Sequence, residues 1–179
     1  DEVTITDSQD YNAIDVDSAV DIVAAEGESP TIVPSAGTIA VDIADVDFSI
    51  DGVDIEAADD TNAIEKTTGA TASKTITVSN ASITMGANSQ TNAFAITDGF
   101  VDGTSGTFVV DNVSVTGPSG NTEAAGVALK TPGQSVTIRN SSFDTLDFGV
   151  QIAGHDGGQG ITIDNTTISN MQDEGVIFN

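Results

Sequence analysis

The residues of this chain that could do acid–base chemistry are scarce on the basic side and abundant on the acidic side. The only histidine, His155, stands beside Asp156 in Gly154-His155-Asp156-Gly157-Gly158-Gln159-Gly160. An imidazole next to a carboxylate suits general acid–base work. The same stretch reads more simply as a Gly-rich turn between strands at Val150 and Ile161. The only arginine is Arg139; the other basic residues are Lys66, Lys74 and Lys130. Calcium could take oxygen ligands from Asp98 and Asp102, with Gly99 between them, or from Glu56, Asp59 and Asp60. None of these has EF-hand spacing, solvated acids are the simpler reading, and no motif requires a cofactor. The absence of Cys excludes disulfides and thiolate metal sites.

Four asparagines match the acceptor pattern for N-glycosylation: Asn80-Ala81-Ser82, Asn112-Val113-Ser114, Asn140-Ser141-Ser142 and Asn165-Thr166-Thr167. Their regular recurrence suggests a structural origin. Aligned on Gly52, Asn80, Asn112, Asn140 and Asn165, five segments share one pattern. They begin at Phe48, Ile76, Phe108, Val136 and Ile161. Each reads apolar, mostly polar, apolar, polar, then Gly or Asn, with another apolar residue three places on. Gly and Asn share a tolerance for the left-handed backbone, so the shared position predicts a tight corner with a ladder of stacked amides.

A second series interleaves with the first. A small residue precedes an alternating strand at Ala13, Ala40, Ala63, Ala93, Gly126, Gly149 and Gly175. Val20-Asp21-Ile22 reads as a degenerate member of the first series. Alternation of period two means short strands with one buried face. Gly, Asn, Asp, Ser and Thr turns separate them, and no segment has a helical period. The expectation is an all-β parallel solenoid of about seven coils, open at both ends, spanning residues 1–179 as one domain. Lys66 occupies an inward position of the second series. A buried unpaired ammonium is costly, so the coil is expected to bend outward there.

Composition limits partners. The 179 residues carry 28 acids against four basic residues, a net charge of −24. The acids are spread along the chain among recurring Ile, Val and Phe, which argues for a folded protein with a surface suited to very high salt. At molar salt the Debye length falls to about 3 Å and self-repulsion is largely screened. Nucleic acid and anionic lipid both need basic surface and are poor partners. No apolar run is long enough to span a membrane. The chain begins at Asp1 and stops in mid-coil at Val176-Ile177-Phe178-Asn179. That suggests a piece of a longer rod, or a unit whose coils stack end to end on other copies.

The unit apolar-Thr-Ile-x-Asn-x-x-Phe/Ile followed by Gly-Val-x-Ile resembles the coils of right-handed parallel β-helix proteins, the pectate-lyase-like superfamily. Pro30-Thr31-Ile32-Val33 and the run from Gly37 to Ile55 resemble a coil of secreted archaeal β-helix proteins. The resemblance implies right-handed coils and an Asn ladder inside the coil, out of reach of glycosylating enzymes after folding. It is weak for activity, because the superfamily holds lyases, hydrolases, epimerases, adhesins and tailspikes.

Two partial enzyme likenesses follow from it. His155 is similar to the Gly-His-Gly element of pectin hydrolases, but the Asn-x-Asp, Asp-Asp and Arg-x-Lys elements have no matching set on neighbouring coils. Pectate lyases use an Arg base beside calcium-binding carboxylates. Asp111, Arg139 and Asp164 fall at equivalent positions of three coils, where an ion-pair ladder of one Arg between two Asp is the simpler reading. The Gly-rich calcium nonapeptide needs Asp where Thr162 stands. Thr77, Thr137 and Thr162 form one outward column, broken by Ser49 and Val109, which β-propensity explains. The expected function is a non-enzymatic extracellular rod of an extreme halophile, a cell-surface, adhesive, filament or virion-fibre component that could bind polysaccharide. The alternative is a lyase or hydrolase of acidic polysaccharide acting through Arg139, Asp164 and His155.

Overall fold

The computed structural model describes residues 1–66, 73–87, 91–96, 106–118, 124–130, 134–153 and 160–178. Among them the only regular elements are strands. Every strand pairing is parallel, and each strand pairs with its counterpart from the next repeat. The molecule is therefore a parallel β-solenoid with three strand-bearing faces.

The first face runs Glu2–Ile5, Val20–Ala24, Phe48–Asp51, Thr75–Thr84, Gly106–Thr116, Gln134–Arg139 and Ile161–Asp164. Its register aligns Val3, Ile22, Ile50, Val78, Val110, Ile138 and Ile163 in one column. Alternation puts this column inside and its neighbours outside. The outward column Ser49, Thr77, Val109, Thr137 and Thr162 stands in the same register. The second face carries the short strands Asp10–Tyr11, Thr31–Ile32, Asp54–Glu56, Ser142–Asp144 and Thr167–Ser169. In the two middle coils the strands Thr75–Thr84 and Gly106–Thr116 run unbroken round the corner into this face.

The third face runs Ile14–Val16, Val41–Ile43, Ile64–Lys66, Asn92–Ile96, Ala125–Lys130, Phe148–Ala153 and Val176–Phe178. The small residues that open these strands have a steric cause. A Cβ on Gly149 would lie 2.5 Å from the Gly175 carbonyl oxygen and 2.6 Å from Ile168 Cγ2. Ala40, Ala63 and Ala93 are fully buried at the corresponding places. The core is a stack of Ile, Val and Phe, with Phe94 and Phe108 meeting edge to face at 5.7 Å.

Lys66 does not turn outward. It is fully buried, in register with Ile96 of the next coil. Its four-carbon stem fills the core column, and its ammonium donates to the Ala44 carbonyl at 3.0 Å at the edge of the face. Burial pushes the Lys66 pKa down, and the nearby Asp45 carboxylate opposes that shift. The stem supplies the apolar volume the core needs, so the coil need not bend.

At the ends, inward-facing side chains emerge. Val3 is 51% exposed at one end, Val176 39% and Phe178 59% at the other. A cavity of about 490 Å³ opens at the first coil, lined by Val3, Ile5, Tyr11, Ile14, Val16 and Val20 among others.

Candidate functional surface at the coil corner

Polar chemistry concentrates where the first face turns into the second. Gly52, Asn80, Asn112, Asn140 and Asn165 have φ of 72°, 52°, 55°, 53° and 44°. This is the left-handed region, which Gly occupies freely and Asn more readily than most residues. The turn breaks the in–out alternation. Ile138 is buried, Arg139 and Asn140 both face out, and Ser141 is buried again. Val78, Ser79, Asn80 and Ala81 repeat that order. All four asparagines are consequently exposed on the outside of the corner, not inside the coil as the family resemblance implies.

The amides form two short chains rather than one ladder. Asn112 Nδ2 donates to Asn80 Oδ1 at 2.8 Å, and Asn80 Nδ2 donates to Asp51 Oδ1 at 2.6 Å. Asn165 Nδ2 donates to Asn140 Oδ1 at 2.9 Å, and Asn140 Nδ2 donates to Asp111 Oδ1 at 2.8 Å. Each chain ends on a carboxylate. The carboxylates follow a rule that sequence reading missed: an Asp of one coil accepts from two successive side chains of the next. Asp51 takes Ser79 and Asn80, Asp111 takes Arg139 and Asn140, and Asp144 takes Ser169 and Asn170. Its signal is an Asp followed one repeat later by a donor directly before an Asn.

Arg139 pairs with Asp111, Nη2 to Oδ2 at 2.7 Å. Asp164 stands next to Arg139 in the ladder register, but the guanidinium reaches only Asp111 among the described residues. The expected bridge of one Arg between two Asp is therefore one-sided. Asn140 already orients the Asp111 carboxylate, which leaves its second oxygen for Arg139. The hydrogen bonds from Arg139 and then Asn140 hold the Asp111 carboxyl below its ordinary pKa. The bond to Asp111 in turn raises the Arg139 pKa. Ser169, Asn170 and Thr145 likewise depress Asp144.

A shallow polar groove of about 300 Å³ follows the corner, lined by Asp54, Asn80, Ser82, Asn112, Ser114 and Asn140 among others. It offers amides and hydroxyls on a ladder that repeats about every 4.8 Å. Glu56, Asp59 and Asp60 lie nearby in the chain, Asp60 in a left-handed turn at φ 56°. No three acidic or imidazole side chains are grouped to hold a metal among the described residues. His155, Asp98 and Asp102 fall outside the described residues. Comparison with protein-family models, curated proteins and solved structures finds no match for this chain. The geometry itself defines a parallel β-solenoid with an exposed, carboxylate-anchored amide ladder.

Proposed function

We propose that this chain is a non-catalytic structural or adhesive element, a β-helix rod related to the pectate-lyase-like superfamily and working outside the cell in high salt. One observation carries the reading: all three faces pair in parallel and in register from coil to coil, so each coil is a template for another. The column Val16, Ile43, Lys66, Ile96, Leu129, Ile152 and Phe178 repeats one inward position through seven successive strands. A further coil in the same register, from the same polypeptide or from a second copy, would extend this column and all three faces. Such head-to-tail contacts propagate a rod. The polar corner groove is the surface offered to polysaccharide. The net charge of −24 favours a neutral glycan over a polyanionic one.

The lyase form of the enzymatic alternative needs Arg139 as a base. Its ion pair with Asp111 stabilises the protonated guanidinium, which works against proton abstraction. The test is electron microscopy and light scattering of the chain in molar salt. Rods that lengthen with protein concentration, and shorten with Phe178→Asp, support the proposal. Cleavage of an acidic polysaccharide, abolished by Arg139→Ala, overturns it.

A further inference from the structure

The corner groove has a cross-section that restricts what can lie in it. It crosses three successive coils, with Asn80, Asn112 and Asn140 along one wall and Ser82, Ser114 and Ser142 along the other. Between the walls the floor is apolar, formed by the buried Ala81 and Val113. In the third coil the floor residue is Ser141, whose hydroxyl accepts from Val113 N and donates to the Arg139 carbonyl. The walls are not saturated. Each wall asparagine commits one amide N–H to the ladder and keeps the other. Ser142 Oγ donates to Ser114 Oγ at 3.1 Å, which leaves the Ser114 proton to be given. Asp54 closes one end, a coil before Ser82 in the same column. The surroundings are neutral: no residue from Thr75 to Thr84 is charged. Gly106–Thr116 and the segment 134–142 carry only Asp111 and Arg139, which pair with each other.

We propose that this groove binds a neutral, extended β-1,4-linked glycan lengthwise, one sugar to a rung. The proposal rests on the reading of the corner as the glycan-facing surface of a non-catalytic rod, and adds the ligand's charge, linkage and direction. A pyranose ring in such a chain has apolar C–H faces and equatorial hydroxyls at both edges. Laid flat, it sets one face on Ala81 and Val113 and its edges against the amide and hydroxyl walls. Each sugar advances the chain by nearly the rung spacing of about 4.8 Å, so successive rings meet equivalent groups. An extended peptide does not: its side chains return to one side about every 6.6–6.8 Å and lose step within two rungs. A polyanion meets Asp54 at the groove's end and the field of a chain of net charge −24. For a neutral sugar the same Asp54 is an acceptor: Oδ1 takes the Ser82 backbone N–H at 2.7 Å, and Oδ2 is left for hydroxyls.

The test is isothermal titration of the chain in molar salt with three hexasaccharides: β-1,4-linked glucose, α-1,4-linked glucose and α-1,4-linked galacturonate. The β-1,4-linked glucose chain should bind about tenfold or more tighter than either of the others. With shorter members of that series, affinity should climb to about three sugars, one for each rung, and then level off. Ser114→Phe fills the middle of the groove from an exposed position and should weaken binding about tenfold or more, with the β circular dichroism unchanged. Ser82→Ala removes one wall hydroxyl and should weaken it about two- to fivefold. No binding of the β-1,4-linked chain, equal binding of the galacturonate chain, or full affinity in both variants would overturn the proposal. If binding fails while the same preparation forms rods by electron microscopy, the rod reading stands and only the glycan site falls. A bound hexasaccharide recovered as fragments would overturn the non-catalytic reading and leave the site in place.

Discussion

Asn140 donates its amide to Asp111 in the coil below, at 2.8 Å, and not to Asn112, the rung directly beneath it. That choice divides the corner ladder in two and turns the second Asp111 oxygen toward Arg139. The residue thus has two separable roles, a backbone one at φ 53° and a side-chain one. Asn140→Ala loses both, and a left-handed Ala costs about 1–2 kcal/mol. Asn140→Gly keeps the backbone, as Gly52 does in an earlier coil at φ 72°. Urea midpoints should place the Gly variant well above the Ala variant. Equal loss in the two would mean that the amide bonds, not the turn, dominate.

The register of this fold was legible in the sequence because alternation and the corner residue recur together. Phe48, Ile76, Phe108, Val136 and Ile161 line up as the apolar anchors suggest. Two things were hidden. The side of the coil on which the amides lie depends on a left-handed turn that places two successive residues outward, and period-two counting cannot see that. The partner of Arg139 depends on which of two equally spaced carboxylates is already oriented, a matter of side-chain competition. Lys66 misled for a third reason: its charge suggested solvent, while its stem had the length and apolar character to fill a core column.

Gly126 tests the packing at the third corner. A Cβ there would lie 2.6 Å from the Gly149 carbonyl oxygen and still nearer the Phe143 ring. Backbone cannot yield cheaply, and overpacking of this kind costs about 1–3 kcal/mol. Gly126→Ala should lower the thermal midpoint, and adding Phe143→Leu should recover part of the loss. Additive losses in the double variant would show that the ring is not the obstacle.

Lys66 gives a pH dependence with a definite sign. Its pKa is lowered in the folded chain by burial, with Asp45 opposing and Lys74 adding to the shift. Between that lowered value and the ordinary 10.5, the unfolded chain holds more protons than the folded one. Stability therefore rises with pH across that window. The measurement belongs below pH ~10, because the Asp7 hydrogen bond raises the Tyr11 pKa and adds its own dependence above it. Lys66→Met should flatten the slope while changing stability at neutral pH by less than about 1.5 kcal/mol. Lys66→Ala should cost about 2–5 kcal/mol, since it empties the same volume. An unchanged slope in Lys66→Met would assign the pH dependence to another group.

The acidic surface makes the strongest demand on solvent. Asp15, Asp42 and Glu65 stand in register on successive strands of the third face, about 4.8 Å apart. Partial burial, then the fields of Asp15 and Asp17, raise the Asp42 pKa, which marks ionisation there as unfavourable. A folded carboxyl with a raised pKa opposes folding above that pKa, and acidification through it relieves the strain. Salt should relieve it too, because a Debye length of about 3 Å in molar salt is shorter than the rung spacing, whereas about 10 Å at 0.1 M spans two rungs. Circular dichroism during dialysis from molar to dilute salt should show loss of β structure. Asp42→Asn should shift that loss to lower salt, with its largest benefit in dilute buffer and little in molar salt. If the wild-type signal persists unchanged in dilute buffer, like-charge repulsion does not limit this fold and the high-salt reading fails. If the wild type unfolds but Asp42→Asn unfolds at the same salt, the limiting repulsion lies outside the Asp15–Asp42–Glu65 column.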